Sequence, residues 1–251
     1  GLQIFVTSHS PTITAKSDVD NISVLQRKQS IIRSFSFDEL SEEDYPKESK
    51  RHLRKFLDTT KAQLFFANGV LLVEGVAEAI IIPILAKKFL TKKIDLCKRG
   101  IELVNIGGVA FNHFGLLFNN DDERKRLLSK CAIITDSDPK DDRDISDRAQ
   151  KAKDLEKHNL KVCLAPHTLE HDLFEQSEHN QTIMREVYRN MHTQTDDLRG
   201  DFNVSTLMDK LKSNKDKAEF ALQLYDRLEK EEAFDVPDYI KEAILFVVPT
   251  E

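Results

Sequence analysis

No apolar run in this chain approaches the about 18 residues that a membrane-spanning helix needs, and the N-terminus lacks the basic-then-apolar pattern of a secretory signal. Cysteine is scarce: Cys97, Cys131 and Cys163 are odd in number and far apart, which excludes a disulfide framework and a zinc cluster by spacing. They are expected to be reduced core residues of a cytoplasmic protein. There is no internal repeat and no low-complexity tract. Nor is there an excess of positive charge, since 37 Lys and Arg stand against 43 Asp and Glu for a formal net charge of −6. That balance argues against a general nucleic-acid coat. It leaves room for an enzyme that keeps its acids at bound metals and its bases along the path of the phosphates.

What is present is a globular chain of 251 residues, 40% of them apolar, enough for one large domain or two small ones. Its acids are gathered at the ends of apolar runs. In VLLVEGVAEAIIIPIL, Val70 to Leu85, a buried strand gives way to a helix with Glu74 and Glu78 at one corner. In CAIITDSDP the run Cys131 to Thr135 delivers Asp136 and Asp138 to a strand end, on one side of the pleat. HTLEHDLFE adds Glu170 and Asp172 just past the strand-like Lys161 to Ala165. Carboxylates crowded at successive strand ends repel one another unless cations are bound or pKa values rise. This pattern describes a divalent-metal site, and hard oxygen ligands point to Mg²⁺ or Mn²⁺.

The order of elements supports that placement. Strands are expected at 3–7, 21–26, 70–74, 101–106, 131–135 and 161–165. A linking helix spans Pro46 to Phe66, with Lys47, Lys50, Arg51 and Arg54 on a face of their own. Further helices are expected at 76–90, from about 110, at about 144–158, and through 207–211, 218–228 and 237–248. Strands alternating with helices give an α/β fold with a parallel sheet, whose sites lie at the carboxyl ends of the strands. A chain that opens on an unpartnered strand reads as cut from a longer one. Asp141, Asp142, Asp144 and Asp147 read as loop solvation and a helix N-terminus, and Gly107 and Gly108 as either a tight turn or a close approach to phosphate. His113 and His167 read as ordinary surface histidines.

LLVEGVAEA, VNIGGVAFNHFG, IITDSDP and TLEHDL, in that order, resemble the Toprim domain shared by bacterial primases, topoisomerases and several nucleases. QIFVTSHSP resembles the last strand and switch histidine of ABC-type ATPases, here His9. YPKESKRHLRKFLDTTKAQLFFANGVLLVEG resembles the ATPase–Toprim junction of the OLD (overcoming lysogenization defect) family, whose KGEFA segment appears in altered form from Lys217 to Ala221. The resemblance implies an ATPase remnant at 1–45, a linking helix at 46–69, a Toprim-type sheet at 70–168 and a helical region at 169–251 that completes the active site. It also implies a metal-dependent DNA endonuclease or nickase using two Mg²⁺ or Mn²⁺ ions, in phage defence or DNA repair. Glu74, Asp136 and Asp138 would hold one ion and Glu78, Glu170 and Asp172 the other, with Lys217, or its neighbour Lys215, as the catalytic lysine. The chain has no GxxxxGK[ST] phosphate loop, so ATP binding and homodimerisation through the ATPase are expected only of a full-length protein. Two readings compete: a primase- or topoisomerase-like Toprim protein, the latter needing a nucleophile among Tyr45, Tyr188, Tyr225 and Tyr239, and a non-catalytic interaction module.

Overall fold

The computed structural model describes residues 2–28, 30–108, 111–137, 145–191 and 202–249. Residues 2–10 form no strand: Leu2, Ile4, Phe5 and Val6 are exposed. An apolar run becomes a strand only by pairing, and no described strand offers its backbone to this one. Helix α1 (Pro11–Lys16) follows, started by Ser10 accepting from the Ile13 N–H and by Pro11 in the first turn. The strand expected at 21–26 lies two residues later as β1 (Ser23–Lys28). It pairs antiparallel with β2 (Ile31–Ser36), an element the sequence reading did not include.

The expected linking helix is broken. Helix α2 (Lys47–Phe56) stops at Leu57, and the Asp58 carboxylate takes the Lys61 N–H at 2.8 Å to start a separate 3₁₀ segment over Lys61–Phe66. A side chain that caps a new turn competes with continuation of the old one. The basic face of α2 is largely engaged by acids: Lys50 pairs with Asp20 at 2.8 Å, Arg54 binds both Asp18 and Asp20, and Lys47 pairs with Glu42.

Next come β3 (Gly69–Val73), α3 (Val76–Ile84), β4 (Ile101–Asn105), α4 (Phe111–Gly115), β5 (Lys130–Asp136), α5 (Asp147–Lys153) and β6 (Leu160–Ala165). The strands form one parallel sheet in the order β4-β3-β5-β6. Helices α3 and α5 are shorter than the expected 76–90 and 144–158. Pro83 inside α3 has no N–H to donate, and the chain widens into π-helical turns over Leu85–Phe89. Among the described residues five more helices follow: α6 (Leu169–Glu175), α7 (Glu178–Met191), α8 (Val204–Lys210), α9 (Asn214–Leu228) and α10 (Asp238–Val247). Among the described residues no helix is long and apolar enough to cross a membrane.

Strand alternation divides the core between the two sheet faces. Val70, Leu72, Cys131, Ile133 and Val162 pack with Phe37, Leu53, Phe65, Phe114 and Phe118 from the N-terminal half and the α4 region. Leu71, Val73, Ala132, Ile134 and Cys163 pack with α3 and the C-terminal helices. Cys131 and Cys163 are therefore core residues, whereas Cys97 is exposed, because it falls in the turns before β4 rather than in a strand.

Two close fits have measurable consequences. A Cβ on Gly69 would lie 2.3 Å from the Val247 carbonyl oxygen of α10, and backbone cannot move aside as a side-chain tip can. Gly69→Ala is expected to lower stability by about 1–3 kcal/mol, read as a falling denaturation midpoint; an unchanged midpoint would mean that α10 is not seated on β3 as described. Asp44 accepts from Ser41 Oγ, Asn120 and Lys125 at 2.7, 2.9 and 2.7 Å, and the Lys125 ammonium first among these holds its carboxyl well below the ordinary value of 3.8. A lowered folded-state pKa contributes stability above the unfolded value, and that stability is lost as pH falls. The stability gap between the native chain and Asp44→Asn is expected to be full at neutral pH and to close below about pH 4. A pH-independent gap would contradict it.

Candidate active site

The carboxyl ends of β3, β4 and β5 open into a cleft of about 330 Å³ that α9 closes from the other side. Glu74 is the first residue after β3. Gly75 caps α3, and Glu78 stands one turn later with its carboxylate folded over the glycine, where an added Cβ would meet Glu78 Oε2 at 2.8 Å. Asp136 ends β5, Glu170 lies in the first turn of α6, and Asn214 and Lys217 come from the start of α9. That start is fixed by a reciprocal cap between Ser213 and Asp216. At the end of β4, Asn105 accepts from the Gly107 N–H at 2.8 Å, and Gly107 and Gly108 both adopt positive φ, 66° and 119°. Only glycine takes both positions readily, and the turn brings backbone rather than side chains to the cleft wall.

The charges are partly balanced within the protein. Lys217 Nζ lies 3.1 Å from Glu170 Oε2, and the Glu170 side chain is only 5% exposed. Arg148 on α5 donates to Glu74 Oε1 at 2.7 Å, and the Thr135 hydroxyl donates to the same oxygen. Burial raises the Glu78 carboxyl above its ordinary pKa, and the neighbouring charges of Glu170 and Glu74 push it further up against the pull of Lys217. Tyr239 on α10 is buried beside these acids with its hydroxyl unpartnered by a hydrogen bond. Burial first, and then the charges of Asp172, Asp136, Glu78 and Glu170, push its phenol well up.

Four of the six expected carboxylates, Glu74, Glu78, Asp136 and Glu170, thus line one cleft with Lys217. Asp138 lies outside the described residues, as do Asp141, Asp142 and Asp144. Asp172 is not in the cleft lining: it accepts from the His167 backbone N–H at 3.3 Å and contacts the His167 and His171 rings. Asp147 sits in the first turn of α5 behind the Ser146 cap. Lys215 is exposed outside the cleft lining. His113 lies on the opposite sheet face, bonded to Ser49 Oγ at 2.9 Å and stacked on His52. His167 is exposed, as expected of a surface histidine, and also contacts Asp172. His9 is exposed at the N-terminal segment.

Arg148, Thr135, Asn105, Asn214 and His171 were not singled out from sequence, and Tyr239 was considered only as a nucleophile for the topoisomerase reading. One signal was readable: Glu170 and Asp172 are two residues apart in a helix, and residues at that spacing do not face the same way.

Residues 65–138 match the family model described as overcoming lysogenization defect protein-like, Toprim domain. Among solved structures, the C-terminal region of the Burkholderia pseudomallei OLD protein is similar at 20% identity and TM-score 0.55, covering 72% of this chain and 97% of that one. The C-terminal region of the Xanthomonas campestris pv. campestris OLD protein, phased with platinum, is similar at 23% identity and TM-score 0.50, covering 74% and 94%. These likenesses show a shared fold. No curated protein matches the sequence.

Proposed function

We propose that this chain, whose residues 65–138 are an OLD-like Toprim domain, is a divalent-metal-dependent DNA nuclease. The observation that carries the reading is the convergence of Glu74, Glu78, Asp136 and Glu170 on one cleft with Lys217 at its edge. The residues fit the group: Glu170 is buried and Glu74, Glu78 and Asp136 are partly buried, and crowded, mutually repelling oxygen donors are the chemistry of a Mg²⁺ or Mn²⁺ site. Bound there, two such ions supply activation of the attacking water and stabilisation of the leaving oxygen.

The chain's own residues do the rest. Glu74 and Asp136, with Asp138 following in sequence, hold one ion; Glu78 and Glu170 hold the other. Arg148 and Thr135 fix the Glu74 carboxylate by two donors to one oxygen, which leaves its second oxygen directed elsewhere. Lys217 stands where it can meet charge developing on the phosphate as its ion pair with Glu170 loosens. The Gly107–Gly108 turn lets a phosphodiester approach the backbone without a side chain in the way.

Incubation with supercoiled plasmid tests this. Nicked or linear product that requires Mg²⁺ or Mn²⁺ and carries no attached protein is expected. Covalent protein–DNA linkage would establish the topoisomerase reading instead, and metal-independent or absent cleavage would leave an interaction module. Nucleotide control and dimerisation belong, on this reading, to a full-length ATPase-containing protein. Calorimetry of this chain with ATP and Mg²⁺ is expected to show no stoichiometric binding, because the sequence carries no GxxxxGK[ST] loop. Micromolar binding would overturn that expectation.

A further inference from the structure

We infer that His167, His171 and Asp172 form a second metal centre beside the acidic cleft, built for a borderline transition ion such as Zn²⁺ or Co²⁺ rather than for Mg²⁺. It goes beyond the nuclease reading and does not depend on it. The three side chains each present one ligand atom, and these atoms lie within 4.8 Å of one another. The Asp172 carboxylate is oriented by the backbone: its Oδ2 takes the His167 N–H, which turns Oδ1 toward both imidazoles. His167 Nδ1 is 3.1 Å from Oδ1 and His171 Nδ1 is 3.6 Å from it. Donors bound to one ion at about 2.0–2.2 Å sit roughly 3–3.5 Å from each other, so these spacings are those of neighbouring ligands on one cation.

Hydrogen bonding alone leaves the cluster incomplete. The His171 contact is too long for a hydrogen bond, and its Nδ1 is buried without any such partner. The two rings are stacked with centroids 3.9 Å apart, an arrangement that two imidazolium cations would oppose and two neutral, metal-ligating rings would not. Asp172 is itself nearly buried, with its side chain 8% exposed. A set of two imidazoles and one carboxylate suits first-row transition ions and leaves coordination positions open, whereas Mg²⁺ takes oxygen ligands and retains water.

Position gives the centre its use. His167 lies on the loop after β6, and His171 and Asp172 lie on α6, one and two residues after Glu170. An ion held there ties the loop to the helix and so fixes the direction in which Glu170 enters the cleft.

The test is Co²⁺ and Zn²⁺ binding to the whole chain with Mg²⁺ in large excess, so that the acidic cleft is already filled. One Co²⁺ is expected to bind with nitrogen ligation, seen as isotropically shifted imidazole N–H resonances, and one Zn²⁺ to raise the melting temperature. His167→Gln and His171→Gln are each expected to weaken that binding by more than the roughly 10–100-fold that loss of an outer-shell partner costs. Should His171→Gln fail to fold, His167→Gln, at a half-exposed side chain, decides the matter. Glu74→Gln is expected to keep the Co²⁺ signal, which separates this centre from the cleft: failure of the nuclease reading leaves the signal in place. Co²⁺ displaced in full by Mg²⁺, or retained unchanged in either histidine variant, overturns the proposal.

Discussion

Asp136→Ala is expected to abolish metal-dependent plasmid cleavage while leaving the fold intact. Polarisation by one bound cation supplies several kcal/mol of transition-state stabilisation. Loss of about 4 kcal/mol is a fall of about 10³ in rate. Chelation of the metal should do the same to the native chain. Stability should move the other way, or not at all, because Asp136 ends β5 among the acids whose combined charge acts on Tyr239. Removing one carboxylate from such a group relieves repulsion in the metal-free protein. Cleavage rates and circular dichroism of the same preparation check both halves. A variant that loses helicity together with activity would make Asp136 a structural residue, and one that cleaves at the native rate would remove it from the site.

The second large effect is expected of Lys217→Ala, with kcat falling about 10²–10³ and DNA affinity changing far less. A lysine that meets developing charge contributes in the transition state, whereas one that only follows the phosphate backbone contributes equally before and during reaction. Lys217 is also the cation 3.1 Å from the nearly buried Glu170, so its removal leaves a buried carboxylate without that partner. The metal-free variant is expected to melt earlier than the native chain, and saturating Mg²⁺ to recover part of the difference, since a bound cation replaces the ammonium electrostatically. Lys215→Ala, at an exposed position outside the cleft lining, is expected to cleave normally. Equal losses in binding and turnover for Lys217→Ala would reduce it to a DNA contact.

The parallel sheet was legible because its strands are largely apolar runs separated by helical segments, three of them with a glycine or an acid at an end. All four were placed within a residue at each end. Glu74, Glu78 and Asp136 were legible for the same reason, since a strand end fixes where its next side chain goes. The N-terminal QIFVT run shows the limit: its residues are as strand-like as those of β3, but pairing is a property of the neighbour, not of the segment. Asp172 shows another. Its membership in the acid set rested on closeness in sequence to Glu170, and the turn of α6 sends the two side chains to different surroundings. Arg148 could not be found at all, because nothing local in ISDRAQKAK says that α5 lies where its guanidinium meets Glu74.

Because the cleft takes its lysine from α9 and its first glutamate from the end of β3, the site cannot exist until most of the chain has been made. α9 packs along α3, so its arrival both covers the apolar helix and delivers Lys217. A ribosome adding about 5–20 residues per second needs on the order of ten seconds to pass from Glu74 to Lys217. Throughout that interval the nascent chain displays acids without the group that completes them. On the nuclease reading proposed above, such a chain is inert during its own synthesis, and a message broken before the α9 codons yields a fragment without Lys217.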